Sequence, residues 1–275
     1  MATSLVYRRA IRELADFFGV PPTEDAVFQH RAIAMDPNEY AAALLRATNT
    51  DVLLVDTGFP PGGTTWRELG ELAGCDVRPV LRIEHGGAVA NARADGFVAL
   101  KTIAAYRGGL DRVSDEVVAA LEANEATGAP LPVQVHCGFG DSDLWLARAD
   151  PSLLKPLLER FRDTLFVLLH CYPFVREAGW LAHVYGNVFF DLSLTIPYVA
   201  RPAEALHEAL ELAPVSKLLY ASDAARTPEL FYVAAKWWRE ALVEVLAEAL
   251  EPDEAKEAGR QILRDNALVL YALGP

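Results

Sequence analysis

Five residues able to do chemistry stand directly after short apolar runs in this sequence. His136 follows Leu131-Pro132-Val133-Gln134-Val135, His170 follows Phe166-Val167-Leu168-Leu169, and Asp223 follows Leu218-Leu219-Tyr220-Ala221-Ser222. Lys101 follows Phe97-Val98-Ala99-Leu100, and Asp191 follows Val188-Phe189-Phe190. If the runs are parallel strands, all five sit at C-terminal strand ends, the face on which barrel enzymes build their sites. Two imidazoles and a carboxylate gathered there have the donor chemistry of a divalent metal centre. Neutral imidazole nitrogen and carboxylate oxygen suit Zn2+ or a similar first-row ion, and an open position carries an activated water. Taken singly, each residue could equally be a buried polar group with its hydrogen bonds satisfied. Taken together, the metal reading is preferred. Cys137 and Cys171 directly follow the two histidines, and strand alternation turns them away, so both thiols read as small buried apolar groups. His30, His183 and His207 lie in helical patterns, and His85, before Gly86-Gly87, reads equally as a turn residue.

The elements that must position these residues are legible as a rhythm. Apolar runs recur at Val52–Val55, Val77–Ile83, Phe97–Leu100, Val133–Val135, Phe166–Leu169, Val188–Phe190 and Leu218–Tyr220, mostly separated by helical stretches. Near-continuous apolar runs of this kind mark a parallel sheet with both faces covered, so the expected fold is α/β with about seven parallel strands. Before them, helices are expected over Ser4–Gly19, over Thr23–Ala34, and from Asp36, with Asp36 as N-cap, Pro37 at N1 and Glu39 at the capping-box position. Later helices are expected over Thr65–Ala73, Ser114–Ala126 and Pro228–Leu250. Between the Val77 and Phe97 runs only His85–Gly96 is available, so that crossover must be short. No linker or composition break divides the chain. One domain over 1–275 is expected, with N-terminal helices (1–50), barrel strands and helices (51–226) and C-terminal helices (227–275).

Composition narrows the function classes. In 275 residues, apolar types make up 52% and charged types 23%, which fits a globular core and excludes disordered and collagen-like classes. The formal charge of -13, from 25 Lys+Arg against 38 Asp+Glu, repels phosphate backbones and anionic lipid, so neither nucleic acid nor membrane is an expected partner. Three scattered cysteines make no disulfide framework or zinc knuckle, and no signal peptide or membrane span is evident, so a cytoplasmic location is expected. Gly-x-Gly-x-x-Gly does not follow the first strand, and Gly58-Phe59-Pro60-Pro61-Gly62-Gly63 lacks the Lys-Ser/Thr of a P-loop.

The segments His136-Cys137-Gly138-Phe139-Gly140-Asp141, His170-Cys171-Tyr172-Pro173-Phe174, Phe190-Asp191-Leu192-Ser193 and Tyr220-Ala221-Ser222-Asp223-Ala224 occur in this order. With Leu100-Lys101-Thr102-Ile103-Ala104-Ala105-Tyr106-Arg107 and Asp265-Asn266-Ala267-Leu268-Val269-Leu270-Tyr271, they resemble the amidohydrolase-related branch (amidohydrolase family 2) of the amidohydrolase superfamily. The likeness is greatest to the domain of glutamine-synthetase-like fusion proteins and to its free-standing bacterial relatives. The resemblance implies a TIM-like (β/α) barrel and metal-dependent hydrolysis, with His136, His170 and Asp223 as metal-site residues and Asp223 also taking the proton of the nucleophilic water. It also implies a catalytic place for Lys101, which is carboxylated and bridges two metals in some superfamily members; here it could equally remain an ammonium. Zinc is the expected metal, with manganese and iron as alternatives.

The departures from the family pattern set further expectations. No His-x-His pair occurs, and the first strand-like run corresponds to the family's second strand. The chain is therefore expected to lack the first strand, through a late start codon or gene truncation, and to leave unpaired edges near Val52 and Leu218 that invite association into a homo-oligomer. Arg107 and Arg226 are candidates to clamp a substrate carboxylate, and Asp141 and Tyr172 to touch substrate or the groups around the metal. Trp66 reads as packing. The leading function is hydrolysis of an amide, ester or lactone-like bond in a small carboxylate-bearing molecule. The alternatives are a catalytically weak or inactive remnant, or a C–C lyase or decarboxylase using the same site.

Overall fold

A computed structural model of the chain describes residues 3–33, 36–59, 62–86 and 88–274. Seven strands, β1 (Val52–Asp56), β2 (Asp76–Arg82), β3 (Ala99–Thr102), β4 (Val133–Cys137), β5 (Phe166–His170), β6 (Val188–Asp191) and β7 (Leu218–Leu219), pair in chain order. Every pairing is parallel, with registers such as Leu54↔Arg78, Lys101↔Gln134 and Val135↔Leu168. The sheet curls into a partial barrel, and β1 and β7 are its edges. β5 is buried along its whole length, as a strand covered on both faces must be.

Helices α1 (Leu5–Phe18), α2 (Glu24–Ile33) and α3 (Pro37–Ala47) precede the sheet. The connections carry α4 (Trp66–Ala73), α5 (Asp115–Glu125), α6 (Lys155–Arg160), α7 (Val175–Val184) and α8 (Pro202–Leu210). The chain then closes with α9 (Pro228–Ala249), α10 (Pro252–Arg260), a π-helical turn (Gln261–Asp265) and α11 (Asn266–Leu270). Capping residues explain several boundaries. Ser4 and Gly19 bracket α1, and Thr65 with Glu68 forms a reciprocal capping box at α4, which Gly74 terminates in the left-handed conformation. Asp36 caps α3 as expected, through Asn38 N–H at 2.8 Å, but it does so without a reciprocal bond from Glu39. The expected end of the second helix, Ala34, lies outside the described residues.

Among the described residues, the short crossover between β2 and β3 carries the 3-10 turns Ile83–His85 and Val89–Asn91 and no α-helix. The Phe97 N–H is taken by Ala92 O in the turn before it (3.0 Å), bonding to β2 opens with Val98 N–H on Pro79 O (3.1 Å), and Lys101 lies inside the strand. Trp237 and Trp238 of α9 are fully buried, each contributing on the order of 4–6 kcal/mol of apolar burial. α9 packs against α3, α8 and α10. Tyr40 of α3 donates to Glu229 of α9 (2.8 Å), and Arg31 pairs with the same carboxylate (3.1 Å), which ties the N-terminal helices to the barrel. Among the described residues no helix is long and apolar enough to cross a membrane.

Candidate active site

A groove of about 1660 Å³ runs the length of the partial barrel, from the C-terminal strand ends to Asp51, Asp76 and Arg264 at the opposite end. It is lined by Asp56, Arg82, Lys101, Tyr106, His136, Gly140, Asp141, His170, Asp191, Ser193 and Asp223, among others, and it reaches down to Gln134, Leu219 and Tyr271. Backbone strain concentrates here. His170 (φ 70), Cys171 (φ 66), Asp223 (φ 46) and Arg226 (φ 63) all adopt left-handed backbone. For a residue with a Cβ this costs about 1 kcal/mol or more each, so the surrounding structure must hold them. At His170 the holding contacts are explicit. Its N–H donates to Asp191 Oδ1 (2.8 Å), and its carbonyl accepts from Thr195 Oγ1 (2.5 Å).

The two imidazoles meet edge to face, with ring centroids 4.4 Å apart. The tautomer of His170 follows from its neighbours. Ser193 Oγ gives its single proton to Asp191 Oδ1 (2.7 Å), so it can only accept at His170 Nδ1 (2.6 Å). His170 therefore carries its proton on Nδ1 and leaves the Nε2 lone pair free. His136 Nε2 is buried without a hydrogen-bond partner. Burial lowers the pKa of both rings well below that of a free imidazole, and the Lys101 ammonium adds to the effect, so both are neutral at pH 7. Burial raises the Asp223 carboxyl against the pull of Lys101 and His136. Asp191, wholly buried, is pushed up to about 6 by burial despite its three hydrogen bonds.

Two neutral imidazoles with free Nε2 atoms and a carboxylate on one cavity are a donor set that fits a divalent ion. Among the described residues no three His, Cys, Asp or Glu side chains are already drawn together tightly enough to form a cage. The orphaned His136 Nε2 is the feature that such an ion would satisfy.

The residues read from the sequence are distributed unevenly. His136, His170, Asp223, Lys101, Arg107, Asp141 and Arg226 all line the cavity. Arg107 makes no ion pair among the described residues, and neither does Arg226, whose guanidinium lies 4.7 Å from the Phe59 ring centroid. Tyr172 is not on the cavity wall. Its side chain is 46% exposed, and its carbonyl accepts from Phe139 N–H (2.6 Å). The Cys137 and Cys171 thiols are buried and face the Val135 and Leu168 carbonyls, with burial raising the pKa of both. Of the other histidines, His183 bonds Leu212 O (3.0 Å), His30 stacks on Phe18 (4.4 Å) and His207 pairs with Glu248 (3.3 Å).

Sequence reasoning missed Asp56, Arg82 and Tyr106. Asp56 ends β1 and Arg82 ends β2, the same position that singled out His136. The Arg82 Nε donates to Asp56 Oδ2 (3.1 Å), and Lys101 Nζ lies 3.3 Å from the same oxygen. Burial alone would raise the Asp56 carboxyl, but Lys101 and Arg82 outweigh it and hold the group below its ordinary range.

A family model and solved structures match this chain along most of its length, and a relative matches just over half of it. The family model described as Amidohydrolase matches residues 22–273. Protein fluG of Emericella nidulans is 38% identical over 161 residues, which cover 56% of this chain and 19% of that much longer protein. A crystal structure of a protein from Lactobacillus casei, described as a metal-dependent hydrolase, superposes with a TM-score of 0.85 at 28% identity, covering 99% of this chain and 85% of that one. Dihydroorotase from Campylobacter jejuni shares the fold at a TM-score of 0.59 and 16% identity, over 86% of this chain and 80% of its own.

Proposed function

Because the chain belongs to the amidohydrolase family, we propose that it is a hydrolase that opens an amide, ester or lactone-like bond in a small carboxylate-bearing molecule, at the cavity shared by His136, His170 and Asp223. The observation that carries this reading is the buried, unpartnered His136 Nε2 beside a second imidazole whose tautomer also leaves Nε2 free. His136 and His170 would hold a divalent metal, zinc in the first place and manganese or iron as alternatives, with Asp223 on the same cavity. A bound ion of this kind supplies Lewis acidity and a water of lowered pKa.

The chain's own residues provide the rest. Asp191 and Ser193 fix the ring of His170. Asp223, raised by burial, is a stronger base than an exposed aspartate, and it accepts the proton of the attacking water at a carboxylate oxygen. Arg107 and Arg226, free of acidic partners among the described residues, clamp the substrate carboxylate with two-pronged hydrogen bonds. Lys101 pairs with Asp56 (3.3 Å) beside the imidazoles, whose pKa values burial lowers first and the nearby Lys101 charge lowers further.

The test is elemental analysis of the chain purified without chelator, beside the His136→Ala/Asp223→Ala double variant. Turnover of a panel of aryl esters, anilides and lactones is measured on the same samples. About one equivalent of zinc, manganese or iron, lost in the variant together with turnover, supports the reading. A folded wild-type protein that takes up none of the three metals and hydrolyses nothing in the panel overturns it.

A further inference from the structure

Tyr106 stands beside the histidines, and the hydrolysis described above gives it no task. It closes the 3-10 turn Ala104–Tyr106 that follows β3, it lines the cavity, and its ring centroid is 4.8 Å from that of His136. Its one hydrogen bond among the described residues is accepted: the Asp141 N–H donates to Tyr106 Oη at 2.9 Å. That bond uses a lone pair and fixes the phenol in place. The O–H proton is left to be given to something in the cavity.

Gly140 shows how closely the phenol approaches the imidazole. A Cβ at residue 140 would fall 2.0 Å from Tyr106 Oη and 3.0 Å from His136 Nε2, so both atoms flank the same point. The φ of Gly140 is not positive, so glycine is needed there for close approach and not for backbone freedom. A phenol keeps its proton on oxygen at neutral pH in any ordinary setting, so the hydroxyl is present as a donor.

We propose that Tyr106 supplies the oxyanion-binding donor of this site, its O–H donating to the oxygen that gains negative charge when a substrate carbonyl becomes tetrahedral. The inference rests on the hydrolytic reading of the His136, His170 and Asp223 cavity. As water adds, its lone pair forms the new C–O bond, the carbonyl π pair moves to oxygen, and the water's proton goes to Asp223. On collapse that pair restores the C=O bond, and the amine or alcohol leaves with the proton Asp223 returns. Tyr106 keeps its proton throughout. A fixed neutral donor strengthens as the charge develops, and removal of such a donor costs about 100-fold or more in kcat.

The experiment compares wild type with Tyr106→Phe, which keeps the ring against His136 and removes the O–H. The first readout does not need turnover. Methylphosphonate, a tetrahedral anion, is titrated by calorimetry into protein purified without chelator, with acetate as the planar control. Wild type binds methylphosphonate, and Tyr106→Phe binds it about 10-fold or more weakly, with acetate affinity and metal content unchanged. Equal methylphosphonate affinity in the two proteins, or no binding to wild type, overturns the proposal. Gly140→Ala keeps the hydroxyl but displaces it, and it shows the same selective loss; full affinity in that variant, folded, overturns the placement.

The second readout is phenyl acetate hydrolysis. Here kcat falls about 100-fold in Tyr106→Phe with KM within about 2-fold. An unchanged kcat overturns the proposal. Methylphosphonate binding that depends on the hydroxyl, in a protein that hydrolyses no ester, amide or lactone, upholds the oxyanion donor while the hydrolytic reading fails.

Discussion

Replacing Asp191 by asparagine should stabilise the protein above about pH 6 and leave it nearly unchanged below about pH 4. A single oxygen of Asp191, Oδ1, accepts all three of its hydrogen bonds, from His170 N (2.8 Å), Ser193 N (2.9 Å) and Ser193 Oγ (2.7 Å). An asparagine carbonyl oxygen in that place accepts the same three, and its NH2 group faces the cavity that Asp191 lines. What differs is the charge. Burial raises the carboxyl, the three hydrogen bonds pull it back down, and the net result is a rise from 3.8 to about 6. An acid whose folded pKa exceeds its unfolded value binds its proton more tightly when folded. Its contribution is therefore fully present at low pH and is lost as pH climbs from about 4 to about 6. Roughly two units at about 1.4 kcal/mol each make that loss about 3 kcal/mol, and asparagine never incurs it. His136 and His170, with lowered pKa values, impose the opposite slope as pH falls below the ordinary imidazole range, but they do so in both proteins. The quantity to plot is thus the difference in unfolding free energy, variant minus wild type, from urea titrations of chelator-treated protein between about pH 4 and pH 8. It should rise by about 3 kcal/mol across that range. A flat or falling difference would refute the argument that burial, and not hydrogen bonding, governs this carboxylate.

Three further outcomes follow from the same geometry. Gly138→Ala places a Cβ 2.3 Å from Tyr172 O on a backbone of φ +68, so it should cost about 2–5 kcal/mol of stability from the left-handed conformation and the overlap together. A shift in urea midpoint worth less than about 1 kcal/mol would contradict this. Asp56→Asn removes the carboxylate that Arg82 and Lys101 share, leaving only the more distant Asp223 opposite them, and should destabilise by about 3 kcal/mol. The Asp56→Asn/Lys101→Met double variant should recover part of that loss, and thermal melts of the three proteins decide it. Ser193→Ala removes the acceptor that fixes His170's tautomer, so zinc affinity measured by competition with a chromogenic chelator should fall about 10- to 100-fold with little change in stability. An unchanged affinity would detach Ser193 from the site.

The order of the strands was readable because it rests on local information. An apolar run followed by a helical stretch can join a parallel sheet in only a few ways, and the His85–Gly96 connection was expected to be short, as it is. The apolar run at Phe97 begins before β3 because Phe97 N–H closes a turn on Ala92, a bond invisible in hydrophobicity, and bonding to β2 begins only at Val98. Tyr172 was drawn toward the site by its nearness to His170 in sequence, yet the two successive left-handed residues before it redirect the chain and leave it exposed. Asp56 and Arg82 went unremarked for the opposite reason: charged residues at strand ends are common, and only pairing across β1, β2 and β3 makes these two one unit with Lys101.

By itself, then, the sequence determined the seven-strand βα order and the family to which the chain belongs, and it singled out His136, His170, Lys101 and Asp223, which line one groove although Lys101 lies within β3 and Asp223 stands in the loop beyond β7. These follow from residue type and from position along the chain. Tertiary structure alone decided the tautomer of His170, the sharing of Asp56 between two cations, and the approach of Tyr106 to His136 through the gap at Gly140. Each of those depends on where a proton goes or on a few tenths of an ångström between segments distant in sequence, and neither is encoded in the pattern of any one segment.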